Sequence, residues 1–463
     1  MTDNSKTFDL LIRNGKIATE SGFQKLDIGI LAGKIFSIRP KLNQPADRII
    51  DAFNRLIFPG FIDSHTHMGI PIKDTMSADD FDSGSIAAAF GGVTTILDFT
   101  VQQKGQSLKD ALRDRMNLAK GKSCIDFGMH INVTDQPEKW LYQIPELIED
   151  GFTSFKVFST YREAGMMIDW EQFRRILKIV NDNGGLLMLH AEDNDTIEVQ
   201  TRNNIRAGNS SAIYHARSRP ADAEAKAINT AAKIAGELDA RLYIVHVSSR
   251  IGLETALKAR EQGVKLYLET CPQYLLLDES RYCEDNGYLY IATPPLRTKE
   301  DNNFLWEAIR DGIIDTVGTD HCPFTIAQKN LGGGSFQNIP NGLPGVETLF
   351  PLLYTYGVCE GRISFKRLID VLVTNPAAIF GLSQKKGAIQ IDHDADLVIW
   401  NPPEEKTISN NNLHGRADWS PYVGMEIKGE LEFTILRGNI LVEKGELTEL
   451  RNRGKLLRSD ETT

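Results

Sequence analysis

The sequence contains no C-x-x-C pair, and its five cysteines (Cys124, Cys271, Cys283, Cys322 and Cys359) are an odd number scattered over 463 residues. That excludes a dense disulfide framework and predicts a reducing, cytoplasmic setting. No apolar run is long enough to span a bilayer, which argues against a membrane protein. The opening MTDNSKTFDL is polar and lacks the apolar core of a secretory signal. Basic excess is missing too. With 52 Lys and Arg against 62 Asp and Glu the net charge is −10, and no Lys/Arg cluster offsets it. Non-specific binding to nucleic acid, whose phosphates want a basic surface, is therefore not expected. Nor does a G-x-G-x-x-G fingerprint follow the first strand, which disfavours a doubly wound dinucleotide-binding sheet.

What is present is a chain of ordinary globular composition, 41% hydrophobic and 25% charged, long enough for a large core plus a second unit. Residues 1–56 read as short strands punctuated by turns, in FDLLIRNGKIAT, KLDIGILAGKIFSIRP and DRIIDAFNRLIFPG. The same texture returns in ADLVIWNPP and FTILRGNILVEKGEL. Neither piece alone buries two faces of a sheet, so 1–56 and 381–445 are expected to form one discontinuous β-sandwich domain. Residues 446–463 form a charged C-terminal tail that is either frayed or docked at an oligomer interface.

Between these ends, strand-length apolar runs alternate with amphipathic stretches. The runs are LIFPGFIDSH, VTTILDF, IDFGMHIN, FTSFKVF, GLLMLH, RLYIVHV, GVKLYLET and IIDTVGT. Helical patterns such as IDWEQFRRILKIVNDNG and ADAEAKAINTAAKIAGEL separate them. Eight strands, each followed by a helix, predict an α/β fold, a (β/α)8 TIM barrel spanning 57–380. The long connection Cys322–Pro344, with GGG at 332–334, follows the last strand on the face where barrel loops shape a pocket.

The chemistry-bearing residues fall at the ends of those strands. Asp63, His65 and His67 lie in FIDSHTH, Lys156 in FTSFKVFST, His190 in LLMLHAED, His246 in YIVHVSS and Asp320 in DTVGTDH. Taken singly, each has a bland reading: a lone H-x-H is a weak metal signal, and Lys156 could be a strand-edge lysine reaching water. Together they are harder to dismiss, because a barrel gathers the carboxyl ends of its strands into one ring. His65 and His67, at i and i+2, share one strand face and can grip one ion. Four imidazoles and a carboxylate exceed the needs of a single catalytic zinc and suit two ions sharing an anionic bridge. His130, near the end of the third strand, reads as structural. His321 reads as an orienting residue for the ligands or for Asp320.

The set PGFIDSHTHM, SADDFDSGSIAAAFGGVTT, FKVFSTY, LHAED, YIVHVSS, ETCPQYL, TPPLR, GTDHCPF, IPNGLPGVE and TNPAAIFGL resembles the cyclic amidohydrolases, in the dihydropyrimidinase/hydantoinase branch. The resemblance covers nearly the whole chain in order. It implies two divalent metal ions, usually zinc, bridged by a Lys156 carboxylated by CO2. His65, His67 and Asp320 would hold one ion, and His190 and His246 the other. A metal-bridging hydroxide would attack a ring carbonyl of a dihydropyrimidine or 5-substituted hydantoin. Tyr161 would donate to the oxyanion. Asp320 would carry the proton to the leaving nitrogen. Asn341 and the backbone at Thr293 would recognise the cyclic amide. Relatives are commonly homotetramers, so a homo-oligomer is implied.

Gly69 stands where dihydroorotases put an arginine for the ring carboxylate, which argues against an acidic ring. The chain departs from the branch at Ile72, where an aromatic is common, at Ser159 and Thr160 in place of Met and Ala, and at Asp193 and Asn194 in place of Asn and Gly. These positions lie in or near pocket loops and leave the ring substituent open. An allantoinase-type ureide hydrolase and a non-catalytic dihydropyrimidinase-like scaffold are the alternatives. The scaffold proteins have lost metal ligands, whereas every one stands here.

Overall fold

Eight strands, buried on both faces as their nearly continuous apolar runs require, pair in parallel and in chain order. They are β1 (Phe61–Thr66), β2 (Val93–Phe99), β3 (Asp126–Asn132), β4 (Ser154–Phe158), β5 (Leu186–His190), β6 (Leu242–Ile244), β7 (Leu266–Thr270) and β8 (Thr316–Val317). This computed structural model describes residues 7–19, 22–135, 137–449 and 452–459. At the seam between β8 and β1 the Asp63 carboxylate accepts from the Thr319 N–H at 2.9 Å and from its hydroxyl at 2.5 Å. One step further, His67 N–H donates to the His321 carbonyl at 2.9 Å. These bonds close the (β/α)8 barrel and carry Asp320 up to the histidines of β1.

Helices cover the barrel as the sequence periodicity predicts. Trp170–Asp182 opens with a capping box between Asp169 and Gln172 and buries Phe173, Ile176, Leu177 and Val180. Those positions form the i, i+3, i+4, i+7 stripe of an amphipathic helix. Ala221–Glu237 lies between β5 and β6 and buries an alanine-rich face. Among the described residues no helix is long and apolar enough to cross a membrane.

Both chain ends join one nine-stranded mixed sheet, in which Leu56–Pro59 pairs antiparallel with Leu397–Thr407 and parallel with Phe8–Thr19. Leu10, Ile28, Ile57, Leu397 and Ile435 pack into a core of its own. The run LIFPGFIDSH, expected as one strand, is two. The chain leaves the mixed sheet at Pro59 and enters the barrel at Phe61, pivoting at Gly60. A Cβ on Gly60 would lie 2.1 Å from Thr94 Oγ1, so only glycine fits where the two sheets come this close.

The described part of the tail lies against the chain's own barrel. Leu457 N–H donates to the Phe127 carbonyl at 2.7 Å, and Ser459 N–H to the Gly151 carbonyl at 2.9 Å. Barrel, mixed sheet and tail meet at a buried charge cluster. The Lys386 ammonium lies 2.6 Å from Asp126, 2.5 Å from Asp396 and 3.0 Å from Asp394. Arg437 also pairs with Asp126, which accepts the Lys455 N–H at 2.8 Å. Asp126 opens β3, so the cluster sits at the amino-terminal end of the barrel, the face concerned with stability rather than catalysis.

Candidate metal centre

His65 is fully buried on β1, with its ring held at both nitrogens. Nδ1 lies 2.7 Å from Glu269 Oε1, while Nε2 faces the barrel axis, 3.0 Å from Lys156 Nζ and 3.2 Å from Asp320 Oδ1. His67, two residues on, points the same way, its Nε2 3.0 Å from the same Asp320 oxygen. Donor atoms of His65, His67 and Asp320 all lie within 4.8 Å of one another, close enough to close on one cation.

A second pair stands across Lys156. The rings of His190 and His246 are 4.6 Å apart, and that of His246 is 5.5 Å from His65. His190 commits Nε2 to Glu192 at 2.7 Å, leaving Nδ1 for the cavity. His246 Nδ1 is buried with no hydrogen-bond partner. Burial, aided by the charge of Lys156, drives the His65 pKa far down, and burial also lowers those of His190 and His246. The imidazoles are thus neutral at pH 7, the form that ligates metal. Burial works to raise the Asp320 pKa, but the close approach of the His65 ring and the hydrogen bond from His67 outweigh it and hold the carboxyl well below its usual range. Neutral imidazoles, an ionised carboxylate and an orphaned ring nitrogen form a donor set that fits divalent cations.

Lys156 lies in the middle of β4, 1% exposed. Its Nζ sits 4.2 Å from the Phe99 ring centroid. Burial lowers its pKa to about 8, against the pull of Asp320 and Glu269. A lysine this far below its ordinary value keeps a usable fraction of neutral, nucleophilic amine.

The centre forms the floor of a cavity of about 420 Å3. Tyr161, Thr293 and Asn341 line it as well. Tyr161 occupies the turn after β4 at φ +68, and His246 and Asp320 also have positive φ, +39 and +53. Non-glycine residues in that region mark backbone held in place by its surroundings, often at functional sites. Burial raises the Tyr161 pKa, so its phenol remains an O–H donor. Thr293 Oγ1 accepts from Asn341 Nδ2 at 2.7 Å, and Asn341 Oδ1 is buried without a partner. His67, Lys156, His190, His246, Asp320, Tyr161, Thr293 and Asn341 thus line one cavity, and His65 lies against Lys156 and Asp320 behind them.

His130 and His321, the two further histidines weighed from the sequence, resolve differently. His130 is a satisfied core residue, with Nδ1 2.6 Å from Ser154 Oγ and Nε2 3.1 Å from the Ser64 carbonyl. The His321 ring turns away from Asp320: its Nδ1 accepts from the Gly345 N–H at 3.1 Å, and its Nε2 faces Asp79 at 3.2 Å. Only its backbone carbonyl touches the site, through His67.

Sequence reasoning gave no role to the carboxylates behind the ligands. Glu269 on β7 is fully buried and, besides His65, accepts from the Tyr243 hydroxyl at 2.8 Å and the His246 N–H at 3.1 Å. Glu192 holds His190 and is itself gripped by Arg219 at 2.6 Å. The signal was available, since a glutamate inside the apolar LYLET is as anomalous as the lysine inside FTSFKVF. Such partners fix ring orientation and raise ligand basicity, and their loss weakens metal binding about 10- to 100-fold. Glu269→Gln is expected to weaken metal binding by that factor, read by competition with a chelator; unchanged affinity would remove Glu269 from this role.

The Amidohydrolase family pattern matches residues 56–441. The chain belongs to that family. It is 40% identical over 453 residues to a D-hydantoinase of Ralstonia pickettii, covering 97% of this chain and 98% of that protein. A D-phenylhydantoinase of Escherichia coli O1:K1 / APEC is 38% identical over 458 residues, with 97% and 98% covered. Among solved structures, the dihydropyrimidinase of Brevibacillus agri NCHU1002 superposes with a TM-score of 0.95 at 37% identity, over 97% of this chain and 98% of that one. Family membership suggests divalent metal binding, and the donor set above fits it.

Proposed function

We propose that this amidohydrolase opens the cyclic amide ring of dihydropyrimidines or 5-substituted hydantoins, using two divalent metal ions. Zinc is the expected metal, with Lys156 carboxylated between the ions. The observation that carries the reading is the convergence of His67, His190, His246 and Asp320 with Lys156 in the lining of one cavity, with His65 directly behind them.

A buried amine with a lowered pKa reacts with CO2 to give a carbamate and release a proton, and the neighbouring cations would balance the new negative charge. Bound divalent ions supply water of lowered pKa and a polarised carbonyl. The rest of the work falls to this chain's own groups. His65 and His67, with Asp320, would hold one ion and His190 and His246 the other; Glu269 and Glu192 keep His65 and His190 in orientation. Asp320, ionised and at the cavity floor, accepts the proton of the attacking water and delivers it to the leaving ring nitrogen. The Tyr161 hydroxyl donates to the carbonyl oxygen as charge develops there. Asn341 and the backbone at Thr293 hold the ring amide. The proposed division into 1–56 plus 381–445, 57–380 and 446–463 and an assembly of four copies belong to the same reading.

Metal analysis of the purified protein is expected to find about two divalent ions per chain, the count a binuclear site requires. Parallel assays with dihydrouracil, hydantoin, a 5-aryl hydantoin and allantoin should then show turnover of the first three ring types in preference to allantoin. A metal-free protein inactive on all four would overturn the reading, and preferential turnover of allantoin would replace it with a ureide hydrolase.

A further inference from the structure

A second cavity, of about 500 Å3, adjoins the first, and Lys73, Tyr161, Ala164 and Asn341 line both. Its charged walls are Lys73, Arg162, Arg202, Arg206 and Arg219 against Glu163 and Glu198. This concentration of cations stands out on a chain whose net charge is −10. Some of it is already neutralised. Arg162 pairs with Asp195 at 2.7 Å and with Glu198 at 3.0 Å, and Arg219 pairs with Glu192. Among the described residues, Lys73, Arg202 and Arg206 have no carboxylate partner, and Glu163 has no cation. The uncommitted charge is positive.

Of the four residues that line both cavities, Lys73 is the charged one. It sits in the loop after β1 at φ +53, and its ammonium reaches across to the long loop after β8, donating to the Gln337 carbonyl at 2.6 Å and the Ile339 carbonyl at 2.8 Å. Much of its stem is exposed, while desolvation at this crossing and the charge of Arg219 lower its pKa to about 8. At neutral pH the ammonium remains mostly charged. Two neutral carbonyls occupy two of its three donor positions without cancelling that charge. Arg219 stands behind Glu192, next to His190, while Arg162, Arg202 and Arg206 line the second cavity and not the first.

Resting on the function proposed above, we infer that the preferred substrate carries an anionic, carboxylate-bearing substituent on the ring, which extends past Lys73 into the basic cavity. A ring-bound carboxylate is a different matter, because Gly69 supplies no cation beside the ring. A substituent two or three carbons long moves the charge away from the metal centre and toward Lys73 and the arginines. A basic cleft in an acidic protein also raises the local concentration of anionic substrate.

The test compares 5-(2-carboxyethyl)hydantoin with its neutral isostere 5-(2-carbamoylethyl)hydantoin on the metal-loaded enzyme. The carboxylate is expected to be favoured in kcat/KM by about five- to tenfold at low salt, the scale of a partly exposed charge pair in a supporting field. The ratio should shrink as salt shortens the screening length. Lys73→Gln should bring it close to one, and Lys73→Arg should keep it. A ratio at or below one in the native enzyme overturns the inference, as does a Lys73→Gln variant that slows both substrates equally, which would make Lys73 a strap between loops. Failure to turn over either probe, with dihydrouracil and hydantoin also untouched, sinks the function proposed above; turnover of those two but of neither probe sinks the anionic substituent alone. Turnover of both without preference sinks only the anionic substituent.

Discussion

Lys156→Ala is expected to reduce kcat by a thousandfold or more, on the order of what is lost when a group on which a whole catalytic constellation depends is removed. Lys156 stands at the meeting of the two histidine pairs of the centre, 3.0 Å from His65 Nε2, and a carbamate there is the anion that would hold two cations together. Lys156→Arg is the sharper control. Arginine keeps a positive charge on a similar stem but cannot form the carbamate, so it should be as inactive as alanine and should lose metal. If the lysine acted as an ammonium, arginine would retain activity. Alanine also leaves room beside the Phe99 ring, and a short carboxylic acid added to the buffer should restore part of the turnover to Lys156→Ala and none to Lys156→Arg. Metal content and initial rates check both variants. Near wild-type turnover of Lys156→Ala without added carboxylate would sink the bridging role.

The second large effect is on stability. Lys386→Met keeps the approximate volume of the side chain and removes the ammonium from among Asp126, Asp394 and Asp396. Breaking a buried charge cluster by deleting one sign leaves uncompensated charge, which costs about 3–5 kcal/mol. Arg437 still faces Asp126 and Lys34 still faces Asp394 at 2.7 Å, which places the effect within that range rather than above it. In the native chain burial already raises the Asp396 pKa against the pull of Lys386. Without the lysine the folded-state carboxyls should titrate higher still. A folded pKa raised above its unfolded value favours the folded state at low pH and is lost as pH rises through it. The variant's deficit should therefore be smaller near pH 5 than near pH 8. Urea or thermal unfolding at both values checks this, and a deficit under about 1 kcal/mol at pH 8 would remove the cluster from its role as the joint between barrel, mixed sheet and tail.

Much of the candidate site was legible because its chemistry contradicts its surroundings. Lys156 in FTSFKVFST and the histidines at successive strand ends are polar groups in runs that local preference would fill with apolar ones. A parallel barrel then has one place for strand ends to meet. The backing carboxylates were harder to see. Glu269 carries the same contradiction inside LYLET, but its value lies in being 2.7 Å from a histidine more than two hundred residues away, a relation that no local pattern encodes. His321 misled for the opposite reason. Its place next to Asp320 in the chain suggested a shared task, yet the left-handed backbone at Asp320, φ +53, turns successive side chains apart and sends the His321 ring to Asp79.

The eight-strand count, the return of β texture at the chain's end and the identities of the candidate metal-ligating residues follow from the sequence, because periodicity and residue chemistry are local properties. The tertiary structure decided what depends on approach in space. It split LIFPGFIDSH between two sheets at Gly60, closed the barrel seam through Asp63 and Thr319, and gave His65 and His190 the carboxylates that fix their rings. It also set the exposed Lys73 between two cavities. Each of these depends on distances between residues far apart in the chain, and only packing the strands into a ring sets those distances.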